Sequence, residues 1–125
     1  MEPNQVKLPH NHGESSSLLE HMPTDRKFAT VSSLFSSLSD SSRIKLFWYL
    51  CHFEECVINL SALMHMSSPA LSHHLKVLKE KGLITSRRRG KEMYYFATDT
   101  EEARLLHHMI ELLIDITCPE PPAVL

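Results

Sequence analysis

Apolar positions recur at helical spacing from Arg26 onward. Phe28, Val31, Leu34, Phe35 and Leu38 share one face, with Thr24 or Asp25 placed to cap the helix they predict. Ser39, Asp40, Ser41 and Ser42 interrupt the pattern and cap a second helix, about Ser42 to Phe53. There Ile44, Leu46, Phe47, Trp48, Leu50 and Cys51 are apolar almost all round, as a buried central helix requires. Asn59 is placed to cap a short third helix, Leu60 to Met66. Ser67, Ser68 and Pro69 then start a fourth, with a hydroxyl cap followed by a proline whose missing N–H costs nothing in a first turn. It runs to Lys81 and stops at Gly82. Leu71, Leu75, Leu78 and Val77 form its core stripe, leaving Ala70, Ser72, His73, Lys76 and Lys79 to face outward.

The period changes after Gly82. Leu83 to Arg87 leads to a turn at Arg89-Gly90, and Met93 to Ala97 returns with aromatic, alternating character, which predicts a β-hairpin. Asp99 or Thr100 caps a last long helix that reaches about Thr117 before Pro119, Pro121 and Pro122. Its leucines, isoleucines and Met109 leave only a narrow polar stripe of Arg104, His108, Glu111 and Asp115. Such a helix should bury one side in its own domain and another against a partner chain, so a homodimer is expected. Residues 1–25 carry Pro3, Pro9, Pro23 and a Ser15–Ser17 run without sustained periodicity, and are expected to form a flexible arm. His10, His12 and His21 in that arm are taken as solubilising. The expected domain therefore spans residues 26–118, followed by a tail at 119–125. Its class is mainly α with a small β-hairpin, in the order α-α-α-α-β-β-α.

Composition narrows the function. A chain of 125 residues with 42% hydrophobic content has room for one small domain with a usable core. Three cysteines cannot all pair within one chain, which argues for a reducing compartment rather than a secreted disulfide framework. The longest apolar run, Leu46 to Cys51, is far short of a membrane span, and the first 25 residues lack a signal peptide's apolar core. A cytoplasmic protein without a membrane partner is expected. Read as a total, the net charge of −2 disfavours nucleic acid, but it is unevenly distributed. Residues 67–91 carry seven Lys and Arg against Glu80 alone, a net +6, whereas residues 92–125 carry Arg104 against seven acids, a net −6. A polyanion partner for one face follows.

Helices in this order, with a basic capped helix just before a basic hairpin, describe a winged helix-turn-helix. The fourth helix fits the DNA major groove, where Ser68, Ala70, Ser72 and His73 can approach base edges, and Ser67, Lys76 and Lys79 are further DNA-binding candidates on it. Arg87, Arg88, Arg89 and Lys91 at the hairpin tip can reach phosphates or an adjacent minor groove. A dimer presents two such heads, so the double-stranded DNA site should be a near-palindrome.

The same residues carry a family resemblance over roughly residues 26–118. Leu34 to Ile44 resembles the opening "L…ALSDxTRxxI" of ArsR/SmtB-type repressors, and Ser67 to Leu78 is similar to their "SQPTVSHHLKVL" recognition helix. Lys81 to Ile84 and Arg88-Arg89-Gly90-Lys91 with Tyr94-Tyr95 resemble their "GLV…RxGRxxYY" wing. The resemblance implies a dimeric transcriptional repressor, paired through its first and last helices, that leaves DNA when an effector binds. Ser68 stands where many members place Gln, so the operator sequence does not transfer.

The family's effector motifs are altered. Its metal box "ELCVCDL" reads Glu54 to Leu60 here, with Cys56 matching the first thiol but Ile58 and Asn59 replacing the second thiol and the aspartate. One thiolate does not satisfy a soft metal, and an inert half-buried thiol is the competing reading of Cys56. The family's zinc motif falls on Asp99, Glu101, Leu112 and Asp115, so both histidines are missing. His107, His108 and Glu111 lie one turn earlier; His108 and Glu111 share a helix face, although a solvated polar stripe is favoured over a ligand set that would also take in Asp115. Members that sense reactive sulfur pair a second-helix cysteine with one near the end of the last helix, and Cys118-Pro119 resembles that ending. Trp48 falls at the second-helix position, with Cys51 three residues later. The hypothesis is a switch in which Cys118 works with Cys51, or with Cys56, through oxidation or a thiophilic metal ion. That metal is the one cofactor considered, and no cofactor is otherwise implied. A disulfide needs Cα atoms within about 7 Å.

Enzymatic function is disfavoured because no glycine-rich nucleotide loop, metalloprotease signature or spaced acid–base pair is present. Two alternatives remain open at this point: a winged helix used for protein contacts, and a DNA-binding regulator without an effector.

Overall fold

The computed structural model describes residues 8–10 and 15–121. The chain divides at Phe35/Ser36 into two compact units. The first holds a six-residue helix, α1 (Ser15–Glu20), and most of α2 (Asp25–Ser37). Thr24 rather than Asp25 is the cap of α2, its hydroxyl accepting from the Lys27 N–H at 3.4 Å. The expected flexible arm thus contains helix α1, whose short length hides it from a periodicity search. His12 of the arm lies outside the described residues, as do residues 122–125 of the tail.

The second unit contains α3 (Ser41–His52), β1 (Glu55–Cys56), α4 (Val57–Met64), α5 (Ser68–Glu80), β2 (Ile84–Arg89), β3 (Glu92–Ala97) and α6 (Glu101–Thr117). The anticipated order of helices and hairpin is present, with α1 and β1 added. Asp40 caps α3 by accepting from the Arg43 N–H at 3.1 Å, and this bond is the leading cause that lowers its carboxyl pKa. Only one side of α3 is buried, through Leu46, Phe47 and Leu50; Trp48 and Phe53 are exposed. The central helix is therefore less enclosed than its composition suggests.

β1 is the second addition. Glu55 and Cys56 pair antiparallel with Tyr95 and Tyr94, extending the hairpin to a three-stranded sheet of order β1-β3-β2. Two residues form too short a run to announce a strand, and they also move the start of α4. That helix begins at Val57, with Cys56 as a cap that makes no side-chain bond. Asn59, the expected cap, lies inside α4 and donates to Glu55 Oε1 at 2.7 Å. His65 closes α4 in a left-handed conformation (φ 52°), a place glycine usually fills, and the chain turns directly into α5.

Ser67 caps α5 as expected, and Leu71, Leu75 and Leu78 are its buried stripe; Val77 is only half-buried. Gly82 (φ 73°) ends the helix by supplying the left-handed turn. In the hairpin, Arg89 pairs with Glu92, so the two loop residues are Gly90 and Lys91, one position later than expected. Gly90 (φ 65°) provides the positive φ that a tight hairpin loop demands. Thr100 caps α6, accepting from the Ala103 N–H at 3.2 Å. Thr100→Ala is expected to destabilise the protein by about 1 kcal/mol in urea unfolding; an unchanged midpoint would mean that α6 does not depend on this cap. The α4–α5 pair followed by a small sheet is a winged helix-turn-helix.

Candidate nucleic-acid interface

On α5, the buried leucines fix which residues face out. Ser67, Ser68, Ala70, Ser72, His73, Lys76 and Lys79 are all exposed. The small side chains occupy the N-terminal turns, where the helix dipole and free N–H groups favour a phosphate. His74 is half-buried, its Nδ1 3.3 Å from an Arg43 Nη, and burial lowers its pKa. It braces α5 against α3 and is no candidate for base contact.

Strand register sorts the wing arginines. Arg87 and Arg89 share a face with Tyr94 and Phe96, whereas Arg88 shares the opposite face with Ser86 and Tyr95. Lys79 Nζ donates to Ser86 Oγ at 2.8 Å, which identifies the Arg88 face as the one turned towards α5. Arg88, exposed, therefore projects on the recognition-helix side. Arg89 lies over the Tyr94 ring at 4.8 Å. Arg87 lies over Phe96 at 5.4 Å and donates twice to Glu54, at 2.6 and 2.5 Å. This bidentate pair raises the Arg87 pKa and lowers that of Glu54.

Arg87 and Lys79, both expected to contact DNA, thus have partners within the protein that hold the wing in place. Sequence alone missed Glu54, because its role depends on the hairpin folding back beside the end of α3. Among the described residues, the cations expected to contact DNA for which no such anchor is seen are Lys76, which meets Glu80 at 4.0 Å, and Arg88, Arg89 and Lys91.

The effector candidates are dispersed. Cys51, Cys56 and Cys118 are all free thiols: half-buried, buried and exposed respectively. Cys51 lines a shallow cavity with Ala103, Arg104 and His107 of α6. Cys118 stands eleven residues past His107, roughly 16 Å along a helix, so the proposed Cys51–Cys118 pair does not form within one chain of this fold. Burial, with Glu111 nearby, pushes the Cys51 thiol up to about 12, away from the reactive thiolate. Cys56 is enclosed in β1 opposite Tyr94.

Of the polar-stripe candidates on α6, His108 and Asp115 are exposed and join no ligand group among the described residues. Glu111 does join one, with His107 in place of His108 and with His52 of α3. The solvated stripe expected of this face thus holds for His108 and Asp115, whereas Glu111 turns towards His107 and His52. His52 could not be found from helix spacing, because it comes from another element.

A sequence model of the bacterial regulatory protein arsR family matches residues 40–86, from the cap of α3 into the wing. The chain is 35% identical over 83 residues to a transcriptional repressor SmtB homolog of a Synechocystis species, covering 66% of this chain and 63% of that protein. It is 35% identical to the biofilm growth-associated repressor of Agrobacterium fabrum, covering 78% and 80%. Among solved structures, the transcriptional regulator HlyU from Vibrio vulnificus superposes with a TM-score of 0.63 at 30% identity, covering 81% of this chain and 99% of that one. The chain spans 63–66% of the length of the first curated relatives it matches.

Proposed function

This chain belongs to the arsR family of bacterial regulatory proteins, and we propose that it is a dimeric transcriptional repressor that binds a near-palindromic DNA operator. The observation that carries this reading is the joint placement of α5 and Arg88: an exposed helix face of small and hydrogen-bonding residues, flanked by a cationic wing on the same side. Ser72 and His73 read base edges, with Ser67, Ser68 and Ala70 lining the approach. Lys76, Arg88, Arg89 and Lys91 engage phosphates.

Dimerisation is supported by apolar surface on two helices. α2 exposes Phe28 (51%), Val31 and Phe35 (56%); α6 exposes Leu105 (65%), Leu112, Leu113 and Ile116 (72%). Apolar surface repeated along a helix calls for cover, and a second copy supplies it with the symmetry a palindrome requires. Among the described residues no helix is long and apolar enough to cross a membrane. Some curated relatives are named as transcriptional repressors and others as cadmium resistance transcriptional regulatory proteins, which supports release of the repressor by an effector.

Fluorescence anisotropy with the gene's own promoter fragment and a scrambled duplex tests the reading. Ser72→Ala and His73→Ala are each expected to narrow the gap between the two duplexes by about 1–3 kcal/mol, while Arg88→Ala weakens both alike. Equal wild-type affinity for promoter and scrambled DNA would refute sequence-specific repression.

A further inference from the structure

The geometry points to a Zn(II)-class metal site formed by His52 at the end of α3 with His107 and Glu111 of α6. Three distances carry it. His52 Nε2 and His107 Nε2 lie 3.1 Å apart, and each faces the same Glu111 oxygen, at 3.2 Å and 2.8 Å. Ligands of a tetrahedral ion with bonds of ~2.0 Å stand about 3.3 Å apart, so the three atoms already form nearly one face of that tetrahedron. Two nitrogens and a carboxylate oxygen are a borderline donor set that suits Zn(II), Co(II) or Ni(II). Without thiolate they offer little to the softer Cd(II), Pb(II) or As(III).

The surroundings hold the ligands and leave room for an ion. The Trp48 ring packs 4.5 Å from His52, and the two imidazoles meet edge to face at 4.8 Å. His107 and Glu111 are one turn apart on α6, so the helix fixes their spacing. The side chains remain 36%, 26% and 46% exposed, and His107 borders the cavity that also reaches Cys51. An ion can therefore enter, and water can complete its shell. Two imidazoles crowding one carboxylate oxygen also form a hydrogen-bonded cluster without metal, and that is the alternative to be separated by experiment.

The whole 125-residue chain, fully reduced and freed of metal, is titrated with Co(II) and then with Zn(II) against a chromophoric chelator. The expected result is one ion per protomer, with the visible absorption of four-coordinate Co(II) and no sulfur-to-metal charge transfer. His52→Gln, His107→Gln and Glu111→Gln should each weaken Zn(II) about 100-fold or more, since even outer-shell partners are worth about 10–100-fold. His108→Gln, Cys51→Ser and His10→Gln should bind as the wild type does. All three ligand side chains reach solvent, so circular dichroism of each variant should match the wild type; if one fails to fold, the other two decide. Wild-type affinity retained in the ligand variants, or binding abolished by Cys51→Ser, overturns the site. These readouts need no DNA, so the result stands apart from the repressor reading.

Discussion

Raising salt from ~50 to ~200 mM is expected to weaken operator binding by about 10³-fold or more, despite the protein's net charge of −2. Each protomer offers Lys76, Arg88, Arg89 and Lys91, so a dimer brings about eight cations to phosphates, within the range for which counterion release gives that loss. The total charge is a poor guide because residues 67–91 alone carry a net +6, and all the acids but Glu80 fall elsewhere in the sequence. Two variants locate the effect. Arg88→Ala should reduce the slope of log affinity against log salt by about one ion per protomer, because its side chain faces α5 without an acidic partner of its own. Glu54→Gln should do the reverse, since it releases Arg87 from its bidentate pair and adds a cation to the wing. If affinity were flat across this salt range, protein contact through the winged helix would be the better account.

Phe47→Ala should destabilise the domain by about 3–5 kcal/mol, enough to unfold much of a small protein. Phe47 is fully buried, on the side of α3 that also buries Leu46 and Leu50. Deleting its ring removes a large apolar surface and leaves a void in a close-packed core that relaxes only in part. The adjacent Trp48 is the control. It is 37% exposed, so Trp48→Ala should cost distinctly less in urea unfolding. Similar losses at both positions would mean that α3 is enclosed on both sides, as its composition first suggests.

That contrast shows what the chain reveals by itself and what it does not. The α5 helix was legible from its leucine stripe, Ser67-Pro69 start and Gly82 stop, because every signal is local. So was the hairpin, up to a one-residue shift of its loop. β1 was hidden because two residues have no period, and its pairing with Tyr94 and Tyr95 is a contact across nearly forty residues. Losing β1 from view also misplaced the start of α4 and the role of Asn59. In the candidate DNA site, the exposed face of α5 followed from helical spacing. The commitment of Arg87 to Glu54 and of Lys79 to Ser86 did not, since strand register and folding decide both. The separation of Cys51 from Cys118 within one chain was hidden for the same reason, since it is set by the packing of α3 on α6 and by the length of α6 beyond His107. Conversely, His52 attracted no notice until α3 and α6 packed together.

The end of α3 is a shared anchor. His52 touches α6, and Glu54, two residues later, grips the wing through Arg87. A ligand at His52 therefore bears on the same short segment that holds the wing. Reciprocity then fixes the thermodynamics: whatever factor such a ligand changes the affinity for DNA by, DNA changes the affinity for that ligand by the same factor.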